Sequence, residues 1–233
     1  MNRTKIPWAT HVWNPLTGCS AISSGCDHCY AKAIARRFHR PWGKPVYKFS
    51  TCAPVLASRP KKPARVFVCS VSDLFHDQAP VDAQSLVWDV AHTRPDLTFI
   101  VLTKRSGNME RKLAGADGFG HGVLPNMWLG VSVEANEARF RVDDLVHTPA
   151  AVRVVSVEPM LGPVDLKPWL RHLDWVICGP ETGPGCRRFE PQWLLDVKRD
   201  CKVAGVPFFD KRDEWKERQY PKGGGRGEEC GCG

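Results

Sequence analysis

The residues best suited to chemistry are three cysteines in one short segment, Cys19, Cys26 and Cys29, within GCSAISSGCDHCYAKA. The Cys-x2-Cys pair places two thiolates within reach of one metal centre. The loop before it is rich in glycine and serine, so its backbone amides can hydrogen-bond to cluster sulfur. Three thiolates on a [4Fe–4S] cluster leave one iron open to a small molecule. The spacing therefore favours an iron–sulfur site with one free coordination position.

Two other interpretations of the cysteine segment stay open. A structural zinc ion would take the same three thiolates and a fourth ligand. The candidates for that ligand are His28, His39, Cys52 and the tail pair Cys230 and Cys232. Alternatively, the thiols are unligated or form a redox disulfide.

A second set of polar residues follows the apolar runs of the chain. These residues are Ser72-Asp73, Thr103-Lys104-Arg105, Ser132 and Glu134, Ser156 and Glu158, Glu181-Thr182, and Asp210-Lys211. In α/β barrels the functional residues collect where parallel strands end, so we expect this set to converge at one mouth. Lys104, Glu134 and Glu158 stand out because an unpaired charge at that position is costly. The alternatives are helix caps, solvated loops, or ion pairs that hold the mouth together.

The elements that must position these residues alternate between strands and helices. Nearly continuous β-branched runs predict buried parallel strands at 66–71, 97–102, 127–133, 152–157, 175–178 and 206–209, with a weaker seventh at 11–14. Cys69 and Cys178 lie inside these runs and are predicted to be core residues. Helices are predicted over 30–39, 81–92, 106–113, 135–145 and 191–204.

The alternation predicts βα repeats and hence an α/β fold. With six to seven parallel strands, a partial or complete TIM-type (β/α) barrel is favoured over an open sheet. We predict one domain over residues 1–222, with the cysteine loop at 15–30 and a flexible glycine- and cysteine-containing tail at 223–233.

Positive charge is concentrated at the start of the chain. The 233 residues carry a net charge of +8, but residues 1–65 hold twelve Lys and Arg against one acid, Asp27. The first quarter is therefore +11 and the remainder −3. A basic surface attracts phosphates, which suggests DNA, RNA or a nucleotide as partner, although a solvated surface is the alternative. A protein partner is left open.

Composition excludes several other classes of protein. The chain is 42% hydrophobic and 25% charged, as expected for a packed domain. No apolar run approaches the roughly 18 residues that a membrane span needs, and the first residues lack the apolar segment of a secretory signal. We therefore expect a cytoplasmic protein without a membrane partner, in which clustered cysteines bind metal rather than form disulfides.

Six blocks of the sequence carry a family resemblance. They are HVWNPLTGCSAISSGCDHCYA, VFVCSVSDLFHD, FIVLTKRSGNM, MWLGVSVE, VVSVEPMLGPVDL and DWVICGPETGPGCRRF. In this order they resemble the blocks of the three-Cys-motif phage protein family, which is similar to radical S-adenosylmethionine enzymes. The resemblance extends from about Trp8 to Lys211, although the first cysteine gap is six residues where the radical enzymes have three.

The resemblance implies a partial (β/α) barrel with a [4Fe–4S] cluster on Cys19, Cys26 and Cys29. It further implies that the open iron chelates S-adenosylmethionine and that a 5′-deoxyadenosyl radical abstracts a substrate hydrogen. Combined with the basic first quarter, this suggests nucleic-acid modification or repair in the manner of a photoproduct lyase. A non-enzymatic, metal-stabilised nucleic-acid-binding protein is the alternative.

On this interpretation the strand-end residues supply the rest of the site. The expected catalytic residues are Lys104, Glu134, Glu158 and Glu181, and the expected cofactor-binding residues are Asp73, Arg105, Ser132, Ser156 and Lys211. Lys104 or Arg105 would pair with a carboxylate or phosphate. The serines and the glutamates at 134 and 158 would hydrogen-bond to ribose, ammonium or substrate, while Glu181 and Lys211 would close the far side.

Overall fold

Strands and helices alternate along the chain in the computed structural model, which describes residues 1–114, 119–183, 185–212 and 219–221. The strands are β1 (Asn2–Arg3), β2 (His11–Trp13), β3 (Leu16–Thr17), β4 (Val46–Tyr47), β5 (Arg65–Val68), β6 (Thr98–Thr103), β7 (Met127–Ser132), β8 (Val152–Val157), β9 (Trp175–Cys178) and β10 (Phe208–Asp210). The α-helices are α1 (Tyr30–Arg37), α2 (Cys52–Leu56), α3 (Val81–Thr93), α4 (Ser106–Leu113), α5 (Phe140–His147) and α6 (Pro191–Ala204).

Local sequence accounts for most of these elements. The β-branched runs form β5 to β10, and the bounds of β8, β9, α4 and α6 agree with the sequence prediction. Helix α6 begins at Pro191 and ends before Gly205, which adopts the left-handed conformation that favours glycine. The predicted helix at 135–145 is instead a 3-10 turn, Asn136–Ala138, followed by α5.

Eight strands form one sheet in which spatial order follows chain order. The order is β1-β2-β5-β6-β7-β8-β9-β10, and all neighbours are parallel except the antiparallel edge strand β1. The predicted α/β fold with seven parallel strands is therefore confirmed. Within the described residues the sheet is not closed, because β1 and β10 are its two edges. The complete barrel that the repeat pattern allowed is not formed by this part of the chain.

The two faces of the sheet have separate cores. One face packs against the helices. Val101 of β6 and Leu129 of β7, for example, share a buried core with Leu145 of α5. The other face is filled by strand aromatics and by Trp8, which precedes β2. Cys69 and Cys178 are buried in the first core, as predicted.

The sheet curls so strongly that its distant strands share one interior. The ring centroids of Trp8, beside β2, and Trp175, on β9, are 6.4 Å apart. In a flat sheet, strands five places apart would be separated by about 24 Å. Tyr220 also packs on Trp175 at 5.3 Å, and Arg65 of β5 lies 4.0 Å above the Tyr220 ring. Residues at the amino ends of distant strands are therefore gathered around a common centre.

The helices of the described residues are short. The longest, α6, has 14 residues, and none in this part of the chain combines the length and apolarity that crossing a bilayer requires.

Close packing between neighbouring strands makes Gly130 of β7 a test of the fold. A Cβ at this position would lie 2.5 Å from the carbonyl oxygen of Val154 and 2.7 Å from Leu102. We expect Gly130→Ala to lower the free energy of unfolding by about 1–3 kcal/mol in urea titrations, because the strands must separate. Gly107→Ala in α4 is the control, since its Cβ meets only Asp144, at 3.8 Å. It should raise stability by roughly 0.5 kcal/mol, and equal losses in both variants would contradict this packing.

Candidate functional site

A cavity of about 600 Å³ lies at the carboxyl ends of the curled strands. Cys19, Cys26 and Cys29 line one side of it. The carboxyl ends of the strands line much of the remainder, together with the segment 4–8 before β2. The strand-end residues that the sequence singled out and that line the cavity are Ser72, Asp73, Thr103, Lys104, Arg105, Ser132, Ser156, Glu158, Glu181, Thr182 and Lys211. The structure thus brings the predicted cysteines and nearly all predicted strand-end residues to one place.

The three cysteines are half-buried free thiols. Burial raises the pKa of the Cys19 thiol, and the negative charge of Asp73 acts in the same direction. Arg105 opposes both effects, because its Nη1 donates a hydrogen bond to Cys19 Sγ at 3.6 Å. A guanidinium against sulfur favours the thiolate, which is the metal-binding form.

Arg105 also fastens the cysteine loop, residues 15–30, to the end of β6. Its buried guanidinium donates to the carbonyl oxygen and the Oγ of Ser20, at 3.0 and 2.9 Å. Asp73 accepts from Arg105 Nη1 at 3.2 Å and from Thr103 Oγ1 at 2.7 Å. The carboxylate of Asp73, which was predicted to bind a cofactor, therefore holds the Arg105 guanidinium in place.

Glu134 forms a second attachment of the cysteine loop. Its side chain is almost fully buried and accepts hydrogen bonds from Ser23 Oγ at 2.6 Å and Arg141 Nη1 at 2.8 Å. Lys104 Nζ lies 3.5 Å from the same carboxylate. Gly25 packs directly on this side chain, since a Cβ there would lie 2.3 Å from Glu134 Cγ. Glu134, a predicted catalytic residue, thus lies behind the loop rather than among the residues that line the cavity.

Glu181 forms a third attachment, through Arg187. The carboxylate accepts from Arg187 Nε at 3.0 Å and from its backbone N–H at 2.9 Å, and it lies 3.1 Å from His28 Nδ1. Arg187 in turn donates to the carbonyl oxygen of Ser24 at 2.9 Å. The hydrogen bonds from Arg187 lower the pKa of Glu181 to about 2, because they stabilise the carboxylate.

The far side of the cavity is formed by the ends of β8 and β10. Lys211 Nζ is paired with Glu158, and both residues line the cavity. Tyr30 is 49% exposed overall, but its hydroxyl points inward and donates to the carbonyl oxygen of Ser70. Desolvation of this hydroxyl raises the pKa of Tyr30. Ser132 and Ser156 also face the cavity, with Ser156 almost fully buried.

Several residues of the site had no sequence signal. Arg141 donates a hydrogen bond to the Glu134 carboxylate. His76, which is far from the cysteines in sequence, has its Nε2 2.8 Å from Ser20 Oγ. Arg187 lies within the block that carries Glu181, but nothing in its spacing marks it as a partner of the cysteine loop.

The residues considered as a fourth zinc ligand lie in different parts of the molecule. Within the described residues, no three His, Cys, Asp or Glu side chains are gathered around a single-ion position. His28 lines the cavity but faces Glu181, while Cys52 is buried in the core of the helical face. His39 is exposed beyond α1. Cys230 and Cys232, with the predicted tail at 223–233, lie outside the described residues.

The low pKa of Glu181 predicts an acid dependence of stability. Its ordinary value is 4.5, so the folded state binds the proton less tightly than the unfolded state. The stability from this group is complete above about pH 4.5 and is lost as the pH falls towards 2. Glu181→Gln should lower the free energy of unfolding by roughly 1–3 kcal/mol at pH 7 in urea titrations, with a smaller difference at pH ~3.

Glu190→Gln is the control for Glu181, because Glu190 pairs with Arg188, which is largely exposed to solvent. It should change stability by less than about 1 kcal/mol at either pH. A pH-independent loss in Glu181→Gln would contradict the assignment.

Glu134 provides a separate test of the loop attachment. Glu134→Gln leaves Arg141 and Lys104 without their carboxylate, so the free energy of unfolding should fall by about 3–5 kcal/mol. Ser23 Oγ lies 3.9 Å from Cys26 Sγ, so weakening the bond from Ser23 to Glu134 should loosen the loop at Cys26. Alkylation of Cys26, measured by peptide mass spectrometry, should therefore be faster in the variant. The exposed neighbour Glu137 is the control, and Glu137→Gln should leave both measurements unchanged. Lower stability with an unchanged Cys26 rate would show that Glu134 does not hold the loop.

Comparison with known proteins adds one finding. No curated protein and no solved structure matches the chain. A family model does match, over residues 3–228, and its description is protein of unknown function (DUF5131). Because the match covers nearly the whole chain, the protein belongs to the DUF5131 family.

Proposed function

We propose that this protein is a cytoplasmic iron–sulfur protein that holds a [4Fe–4S] cluster on Cys19, Cys26 and Cys29. In this proposal it acts on a nucleic acid or nucleotide by chemistry similar to that of radical S-adenosylmethionine enzymes. The observation that carries the proposal is that three free thiols and a buried arginine face one 600 Å³ cavity at the carboxyl ends of a curled sheet. We further propose that the curled sheet is an incomplete (β/α) barrel.

The donor set suits an iron–sulfur cluster. A tetrahedral zinc ion with Zn–S bonds of about 2.3 Å draws its thiolates to within about 4 Å of one another. A cluster binds each thiolate at a different iron, so it accepts a wider arrangement. Three cysteines on one loop, with Arg105 donating to the Cys19 sulfur, provide such a set. Hydrogen bonds to ligand sulfur are also a means by which proteins adjust the cluster's potential.

The remaining cavity wall suits a polar cofactor. When bound, a [4Fe–4S] cluster of this kind supplies the electron that cleaves the sulfonium C–S bond of S-adenosylmethionine, giving a 5′-deoxyadenosyl radical that removes a substrate hydrogen. The hydroxyls of Ser132 and Ser156 can hydrogen-bond to ribose or ammonium groups. Glu158 and Lys211 present paired charges of opposite sign to the same space. A cavity of this volume accommodates a ligand of drug-like size or larger.

The ion pairs at the mouth favour a second candidate, a metal-stabilised nucleic-acid-binding protein without catalysis. Glu134, Glu181 and Glu158 are paired with Arg141, Arg187 and Lys211. Such pairing is what a purely structural mouth requires, because buried charges are retained in compensated pairs. Both candidates predict metal on the cysteine loop, and they differ in whether S-adenosylmethionine is consumed.

Anaerobic purification followed by iron and sulfide analysis tests the cluster. We expect about four irons per chain, loss of the brown chromophore in Cys26→Ala, and formation of 5′-deoxyadenosine when S-adenosylmethionine and a strong reductant are added. Cys186→Ala is the matched control, because Cys186 is an exposed free thiol outside the cavity. It should retain iron and colour.

The results separate the candidates. A full cluster without 5′-deoxyadenosine would favour the non-enzymatic protein. Zinc in place of iron would exclude the cluster, and iron retained in Cys26→Ala would show that the ligand assignment is wrong.

A further inference from the structure

The chain segment that carries most of the exposed positive charge near the cavity contains no acidic residue. No Asp or Glu occurs anywhere from residue 28 to residue 72. Six exposed cations lie on and just after α1, namely Lys32, Arg36, Arg37, Arg40, Lys44 and Lys48. Within the described part of the chain, none of them has an ion-pair partner. Their charge is therefore available to an external polyanion, whereas Arg105, Arg141 and Arg187 are engaged inside the protein.

Two exposed aromatic side chains lie among these cations. Phe38 is 57% exposed and Phe49 is 64% exposed. The guanidinium groups of Arg37 and Arg40 lie 5.6 and 5.4 Å from the centre of the Phe38 ring. Exposed aromatic faces among cations are the surface that single-stranded nucleic acids use, because phosphates pair with the cations and bases stack on the rings.

The same segment begins and ends at the cavity. Cys29, Tyr30 and Ala31 line the cavity at the start of α1, and Trp42 lines it after the chain returns. The Gly43 backbone N–H donates to the carbonyl oxygen of Cys19 at 3.1 Å, which fixes this return to the cysteine loop. The basic aromatic surface between them, residues 32–40, is therefore continuous with the cavity mouth.

We propose that residues 32–40, with Lys44 and Lys48, bind a single-stranded polynucleotide and direct one nucleotide into the cavity. The substrate class rests on the proposed function, in which the cavity acts on a nucleic acid or nucleotide. A cavity of about 600 Å³ has room for one nucleotide but not for stacked base pairs. Enzymes that react at a base likewise act on single strands or on an extruded nucleotide. Phe38 provides the stacking surface and the arginines provide the phosphate contacts.

Binding is measured by fluorescence anisotropy with labelled single-stranded DNA and RNA of about 12 nucleotides and with the matching duplex. At about 50 mM salt we expect single strands of at least one kind to bind at least tenfold more tightly than the duplex, and we expect affinity to fall steeply by 200 mM. The triple variant Arg36→Glu, Arg37→Glu, Arg40→Glu should weaken single-strand binding at least 100-fold.

A charge-matched control lies in the same basic quarter of the sequence. Arg59, Lys61 and Lys62 are exposed, precede β5 and do not line the cavity. Their triple replacement by Glu changes the net charge equally and should weaken binding less than fivefold. Equal losses in the two triple variants would overturn the proposal, because net charge alone would then explain binding.

Phe38→Ala tests stacking without a change of charge. Stacking of one base on an aromatic ring contributes about 1–3 kcal/mol, which corresponds to a loss of roughly 5- to 150-fold in affinity. Phe140→Ala is the control, because Phe140 is 55% exposed and contacts Arg141 but lies on α5. An effect of Phe140→Ala as large as that of Phe38→Ala would overturn the proposal.

The outcome is separable from that of the proposed function. Failure of both single strands to bind, or a duplex that binds as tightly, would overturn this inference whatever the iron content. Conversely, single-strand binding that depends on Phe38 and the α1 arginines would uphold it even if no 5′-deoxyadenosine formed. Far-ultraviolet circular dichroism and iron content of each variant establish that the variants are folded and equally loaded.

Discussion

The arrangement of the cavity depends on how the cysteine loop is fastened to the sheet by buried charge. A loop of glycines and serines has little apolar surface to bury, so hydrophobic packing cannot hold it. Arg105, Glu134 and the Glu181–Arg187 pair contact it from three different strand ends. Each of these groups is itself compensated by a charge of opposite sign, which is what makes its burial tolerable. The position of the thiols is therefore set by the sheet rather than by the loop.

This role changes the interpretation of the strand-end residues. Asp73, Glu134 and Glu181 have carboxylates that face arginines. Glu134 contacts the loop itself, whereas Asp73 and Glu181 position the arginines that contact it. Ser132, Ser156, Glu158, Thr182 and Lys211 line the cavity without a hydrogen bond or ion pair to the loop among the described residues. The cavity lining thus combines charges that hold the loop with groups that can contact a ligand. Both sets come from the same strand ends, so their position along the sequence does not separate them.

The sequence predicted the sheet more fully than the site. Nearly continuous β-branched runs predict β5 to β10, because a strand that is buried on both faces needs apolar residues at every position. The convergence of the cysteines with the strand ends also followed from topology, since carboxyl ends of parallel strands share one edge. Arg141 and Arg187 were missed because their partners are chosen by side-chain geometry across the fold. The strands β3 and β4 were missed because two residues carry no periodicity, and their pairing depends on the loop around them.

The curl of the sheet places aromatic side chains of its inner face beside the cavity. Trp8 and Phe67 belong to the aromatic core of the inner face, and they also line the cavity. The rings of these two residues are 4.7 Å apart, so they form a packed apolar part of the cavity lining. Charges at the mouth therefore lie above an apolar floor, where electrostatic interactions are stronger than in water. Trp8 contributes to this apolar part of the cavity from outside the parallel strands.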